Sequence, residues 1–417
     1  MLLRSMTGLM TLFLFSTMTL GQASSEVELR VRWNPLYDII VIADLDGNIS
    51  LIDVSSDKIL NELSVTSLRG ISHILNLSWS PNGQRLAVQD GFDVQIWEHP
   101  WNRSEARLIS TFRYYTYPPM SEADVDPRAF AWHPDNSWFS TVTGGYINVW
   151  NADTNELIYR FTGDQVGTYD LAWSEEGILA SGGSLGLGIV WDLSNGLPKY
   201  YFNSFRRGQV QSPVIHSISW NKDGTLLALG TDGGSIHIWD TSVGHDSSYD
   251  DDVGSLIATD MSYGTRNPII SVSWSPDGEY IASGDDDGNL RIHDVETREL
   301  VQLVKAALGT KIYDVTWSPY GGRLAFISGG NAASQNLLSS ESGRLFSGAV
   351  QIITPVASLQ RLNDLLDTCE VTDMQVTEIT HLQDFVTQLD TLSEDELPSS
   401  CREDILALAQ AVAVEEN

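Results

Sequence analysis

The chain has 417 residues, with 24 Lys and Arg against 55 Asp and Glu, and a formal net charge of −31. A balance this acidic disfavours nucleic acid, whose phosphates need basic side chains, and it disfavours anionic membrane surfaces. Hydrophobic residues make up 42% of the chain, enough for a substantial core, and only two cysteines are present.

Residues 1–23 read as an export leader. Arg4 gives a short basic start, the run from Gly8 to Leu20 is apolar, and Gly21-Gln22-Ala23 places small residues before a cut at Ser24. The apolar run is too short for a comfortable membrane span. These features predict a secreted or periplasmic protein, free of the membrane once the leader is removed.

Residues 24–355 carry an internal repeat. Seven tryptophans each close a short β-type run just before a turn: Trp33, Trp79, Trp132, Trp173, Trp220, Trp274 and Trp317. Four more, Trp97, Trp150, Trp191 and Trp239, stand near the end of a later strand of the same units, and only Trp101 and Trp138 fall outside the grid. The first series recurs every 41 to 54 residues, a period that indicates a solenoid, a propeller or an array. In residues 214–241 the first strand ends at Trp220, and Asn221-Lys222-Asp223-Gly224 supplies turn chemistry. Leu226–Gly230 forms a second strand, Asp232-Gly233-Gly234 a hairpin, and Ser235–Asp240 a third strand bulky on both faces. A strand with two bulky faces is buried between stacked sheets.

These units resemble WD40 repeats. Third strands end Ile96-Trp97-Glu98, Val149-Trp150-Asn151, Val190-Trp191-Asp192, Ile238-Trp239-Asp240 and Ile292-His293-Asp294, and first strands end in Trp-Ser-Pro-x-Gly at 79–83, 274–278 and 317–321. The resemblance covers residues 26–354 and implies an all-β, seven-bladed WD40-type β-propeller, with a degenerate last blade at Val350–Thr354. The Gly-His dipeptide usual in that family is missing from every unit, which leaves stacked apolar strand faces as the main expected source of stability.

The resemblance also implies which connections share a face. Those between strands two and three, and from strand four to the next blade, open together. Two insertions there carry Arg113, Tyr114, Tyr115 and Tyr117, and Phe205, Arg206 and Arg207. Tyr and Arg are favoured at binding hot spots, so these seven are the candidate partner-binding residues, although some neighbouring aromatics could instead belong to outer strands.

From 356 to 417 the pattern turns helical. Leu359, Leu362 and Leu366 form one apolar stripe, Val376, Ile379, Leu382, Val386 and Leu389 another, and Ile405, Leu408 and Val412 a third. Cys369 and Cys401 both lie here, and an even count in an exported chain predicts a disulfide between them. Blade 7 has three strands in sequence before Pro355, so an open fourth position and a seam covered by these helices are expected.

No catalytic set emerges. The eight His lack ligand spacing, and no nucleophile elbow, phosphate loop or zinc motif is present. Asp285-Asp286-Asp287-Gly288-Asn289 reads as a hairpin rather than a calcium loop. No cofactor or metal is expected. The leading expectation is a monomeric, exported, non-catalytic scaffold for protein or peptide partners. The alternative is a propeller enzyme, lactonase-like or quinoprotein-like, which would need acidic, Asn or His groups converging in the central channel.

Overall fold

Each run that ends in one of the seven tryptophans is the innermost strand of a four-stranded antiparallel blade. The structure is a computed structural model that describes residues 30–353 apart from 44–47, 57, 66–73, 91–92, 114–128, 144–145, 163–166, 204–212, 243–254, 259–266, 307–309 and 331–347, together with residues 12–14 and 405. Blade 1 runs Arg30–Trp33, Ile39–Ala43, Asn48–Asp53 and Lys58–Ser64, and blade 2 runs Ile74–Trp79, Arg85–Asp90, Asp93–Glu98 and Arg107–Arg113. The inner strands of blades 3 to 7 are Phe130–Trp132, Thr168–Trp173, Ile215–Trp220, Ile269–Trp274 and Thr310–Trp317. The tryptophan grid therefore marks the innermost strand in all seven units.

The turn after each inner tryptophan has a chemical reason. In the Trp-Ser-Pro units the serine hydroxyl accepts the backbone N–H at the start of the second strand: Ser80 from Arg85 at 2.9 Å, Ser275 from Tyr280 at 2.9 Å and Ser318 from Arg323 at 3.0 Å. Asn221 does the same for Leu226 at 2.8 Å. The turn then needs a left-handed residue, and Gly83 supplies it with φ +65. The Asp285 run is turn chemistry too. Its carboxylate accepts from the N–H groups of Asp287 and Asn289 and from the Arg291 guanidinium at 2.6 Å, and no metal-holding group of His, Cys, Asp and Glu occurs among the described residues.

The core lies between blades. One cluster joins Leu171, Leu179, Ile189 and Trp191 of blade 4 to Val142, Ile147, Val149 and Phe161 of blade 3. Contact is close enough to demand glycine on some second strands: a Cβ on Gly284 would stand 2.3 Å from Ile312 of the next blade. His237 and His293 sit inside third strands at 5% and 0% exposure, as packing residues.

Ring closure differs from the expectation. Blade 7 consists of Thr310–Trp317, Leu324–Gly330 and Gly348–Ile353, and its outer position is filled by Leu12–Leu14. Leu12, Phe13 and Leu14 pair antiparallel with Ile352, Gln351 and Val350. The two ends of the propeller chain thus meet in one sheet, so blade 7 has its fourth strand. The misreading has a simple cause: a short apolar run suits a leader core and a buried strand equally well. Of the segment after Ile353, only Ile405 is described, helical and fully buried, so the rest of the apolar stripes and both cysteines lie outside the described residues.

Candidate functional site

The inner strands wall the central channel, and their side chains do two separate jobs. The first is to tie each blade to the next. The indole N–H of one inner tryptophan donates to the carbonyl just before the tryptophan of the preceding blade: Trp79 to Arg32, Trp132 to Ser78, Trp220 to Ala172 and Trp317 to Ser273, at 3.1–3.4 Å. In blades 4 to 7 the residue three before the tryptophan accepts a backbone N–H of the next blade, so these bonds run in the same sense as the indole bonds. Asp170 takes the N–H of Ile218 at 2.8 Å, Ser217 that of Val272 at 3.2 Å, Ser271 that of Val315 at 3.2 Å, and Asp314 that of Val31 at 3.1 Å. A bulge precedes these residues in blades 4 to 7, which disrupts the regular ladder there.

The seam between blades 7 and 1 adds ion pairs to these bonds. Asp314, with a side chain 3% exposed, also pairs with Arg32 and accepts from Ser271 at 3.3 Å. Arg323, 4% exposed, binds Asp38 at 2.5 Å and lies over the Trp33 ring at 5.3 Å.

The second job is to line the channel. Arg30, Arg32, Tyr169, Asp170, His216, Ile270, Lys311 and Tyr313 are among the larger partly exposed inner-strand residues. The rings of Tyr169 and His216 meet edge to face at 6.1 Å across blades 4 and 5, and Lys311 lies 5.5 Å over the Tyr313 ring. Ser78, Ala172, Ser219, Ser273 and Thr316, small residues just before their tryptophans, line the rest.

Burial pushes the Asp170 carboxyl up to about 6, against the opposing pull of the Ile218 N–H, Arg32, the Leu171 N–H and Arg30. Burial also depresses His293 to about 4, helped by the nearby charge of Arg291. These two groups oppose each other in one pH window. As pH falls from 6 to 4, folded Asp170 gains its proton before the unfolded chain does, so stability rises. As pH falls from 6.5 to 4, the unfolded chain protonates its histidine before folded His293 does, so stability falls. Each effect is on the order of 3 kcal/mol. Asp170→Asn keeps a carbonyl acceptor for Ile218 and removes one side of the balance. Thermal melts should show the variant losing several degrees more than the parent between pH 7 and pH 4.5. Identical profiles would refute the compensation.

Of the predicted partner-binding residues, only Arg113 is described. Arg113 is the last residue of the outer strand of blade 2, with its Cα partner at Asp93. Tyr114, Tyr115, Tyr117, Phe205, Arg206 and Arg207 lie outside the described residues. The outer strands that lead into the two insertions, Arg107–Arg113 and Leu197–Asn203, belong to blades 2 and 4. Some neighbouring aromatics belong to strands instead: Phe112 and Phe202 are 4% and 1% exposed and pack in the core. Sequence reasoning missed Asp170, Asp314, Arg32 and Arg323. Its usable signal was a polar residue three before the tryptophan in six units: Arg30, Asn76, Asp170, Ser217, Ser271 and Asp314.

Strand order, inner tryptophans and interblade bonds together define a seven-bladed β-propeller. Residues 203–240 and 254–294 match the WD40 family, "WD domain, G-beta repeat", and these repeats fall in a propeller of seven blades. It is 27% identical over 156 residues to the WD repeat-containing protein SL1-17 of Schistosoma mansoni, covering 37% of this chain and 46% of that one. It is 35% identical over 104 residues to the APC/C activator protein CDC20 of Saccharomyces cerevisiae, covering 25% and 15%. These matches span less than half the length of either relative. A chain of the solved "Crystal Structure of Mitotic Checkpoint Complex" shares the fold, with TM-score 0.61, 18% identity, and coverage of 82% of this chain and 94% of that one.

The relatives correct the expectation of a secreted or periplasmic protein. An APC/C activator, a translation initiation factor 3 subunit and a small ribosomal subunit protein are machinery of the cell interior. The resemblance therefore points to the cytoplasm or nucleus rather than to export. The predicted Cys369–Cys401 bridge lies outside the described residues, and the oxidising compartment that motivated it is the expectation now corrected.

Proposed function

We propose that the chain is a monomeric, non-catalytic WD40 scaffold that holds a protein or peptide partner over the face carrying Arg113, Tyr114, Tyr115, Tyr117, Phe205, Arg206 and Arg207. One observation supports the non-catalytic reading most. The acidic groups of the inner strands do not converge on a free point in the channel. Asp170 and Asp314 are each committed to a backbone N–H of the next blade, and Asp314 also to Arg32. A lactonase-like or quinoprotein-like centre needs such groups for substrate, metal or cofactor, and these hold the ring together instead. The matched relatives with names, an anaphase-promoting complex activator among them, agree with a role in assembly.

Tyr115→Ala combined with Arg206→Ala tests the binding face. Affinity capture with the parent as bait should retain a defined partner, and the double variant should retain at least tenfold less with a melting temperature within about one degree of the parent. A large loss of stability would make these loops packing elements. Unchanged capture would place the partner elsewhere.

A further inference from the structure

The opposite face carries a second aromatic surface, centred on Trp101, one of the two tryptophans outside the repeat grid. The turn that presents it, residues 99–106, joins the third and fourth strands of blade 2 and is longer than the same turn in blades 1, 3, 4 and 6. Trp101 is half-buried there. Its ring lies 5.4 Å from Tyr37, 5.7 Å from Trp79 and 5.8 Å from His99. Tyr37 and its neighbour Leu36, in the first turn of blade 1, are 40% and 50% exposed, and Tyr320, in the first turn of blade 7, is 52% exposed.

This surface is held rigid from beneath. Asn34, fully buried, accepts from the N–H groups of Leu36 and Tyr37 at 2.9 and 3.0 Å and donates to the Gly83 carbonyl at 2.9 Å. That locks the turn of blade 1 onto the turn of blade 2. Gln84 donates to the Tyr37 hydroxyl at 3.0 Å, and buried Asn61 donates to the Pro100 carbonyl at 2.8 Å. The Arg323–Asp38 pair fixes the blade 7 side. A surface ordered before binding loses little entropy when it is occupied.

Charge decides what it fits. Turns of this face in blades 1 to 3 carry Asp53, Glu98, Glu105, Asp135, Asp153 and Glu156. Of the basic residues among them, Arg107 is already paired with Glu98 and Arg85 with Asp153, which leaves exposed Arg103 and Lys58 against six carboxylates. The segment after Ile353 is itself acidic, with Glu394-Asp395-Glu396, Glu403-Asp404 and Glu415-Glu416, so like charge disfavours it as occupant. A second copy of a chain with net charge −31 meets the same repulsion.

We propose that the Leu36–Tyr37–Trp101–Tyr320 surface docks a basic protein segment, which lays an Arg or Lys side chain against the Tyr37 and Trp101 rings while flanking cations meet the surrounding carboxylates. A guanidinium over an aromatic face gains from the ring quadrupole, and more so beside anions. The partner is thus a chain rich in Arg and Lys with interspersed apolar residues, on the face opposite the binding face proposed above.

The test uses the full chain and two fluorescent twelve-residue peptides, one alternating arginine with leucine and one with glutamate in place of arginine. Anisotropy at 0.15 M salt should show binding of the arginine peptide alone. Tyr37→Ala with Trp101→Ala leaves the protein charge unchanged and should weaken binding at least tenfold, and Tyr37→Phe should retain it. Tyr115→Ala with Arg206→Ala should bind the peptide as the parent does, which separates this surface from the other face. Equal binding by the parent and by Tyr37→Ala with Trp101→Ala would reduce the interaction to diffuse charge and overturn the proposal. So would absence of peptide binding, whether crosslinks from position 36 then reach the chain's own acidic tail or sedimentation shows a second copy on the patch.

Discussion

Asp314→Ala should cost the propeller about 3–5 kcal/mol, the range for breaking a buried ion pair from one side. The carboxylate stands where three blades meet. It accepts from Ser271 of blade 6, from Val315 of its own strand and from Val31 of blade 1, and it pairs with Arg32. Removing it leaves a buried N–H at Val31 without its acceptor and a guanidinium without its counter-ion. The Arg32 side chain is 31% exposed and can recover some hydration, which favours the lower end of the range. Asp314→Asn keeps an acceptor for Val31 and should cost less. The exposed pair of Arg107 with Glu98 is the control: with the Arg107 side chain 69% exposed, Arg107→Ala should cost under about 1 kcal/mol. Urea unfolding with unchanged slope measures all three. A loss below 1 kcal/mol for Asp314→Ala would mean that apolar packing alone holds the seam.

That prediction marks where the sequence was legible and where it was not. Period and tryptophan placement were enough for blade number and inner strands, because a tryptophan that closes a short β-type run just before a turn has one geometric meaning repeated seven times. The turn roles of Asp285 and Gly83 could also be read, since they depend on residues within a few positions. Interblade bonds could not. The acceptor for the Val31 N–H is 283 positions away in Asp314, and no local pattern says which strand will face it. Without the Gly-His dipeptide, apolar stacking was expected to dominate, yet five inner tryptophans, Trp173 through the Ser140 hydroxyl among them, and the polar residues three before the tryptophans of blades 4 to 7 form a hydrogen-bonded ring. Part of that ring was hidden because a serine or aspartate in a strand reads as a break in apolar pattern until the repeats are laid over one another. The loops with Tyr115 and Arg206 are a different case, since their composition suggests contact but not with what.

The N-terminal strand is where local reading failed most, and its removal should have the other large effect. Leu12–Leu14 covers the edge of Gly348–Ile353, whose Val350, Ile352 and Ile353 are 6%, 2% and 1% exposed. Val350 and Ile352 share a cluster with Val31, Ile40 and Ile42 of blade 1, so the edge lies beside the seam that Asp314 and Arg323 hold. A chain that begins at Ser24 would leave the N–H and C=O row of Gly348–Ile353 open to solvent and to other chains. Three lost ladder positions at about 1 kcal/mol per hydrogen bond predict a deficit of roughly 3 kcal/mol. The truncated protein should melt several degrees below the full chain and aggregate faster on warming. Phe13→Pro, which removes a single ladder donor opposite Gln351, should move the melt the same way by less. The long-range effect should appear in hydrogen exchange, with faster exchange at Val31 and Val350 than at Ile218, which lies on the far side of the ring. Equal melting of the two chains would show that blade 7 closes the ring with three strands, leaving Asp314, Arg323 and the apolar seam to hold the first blade to the last.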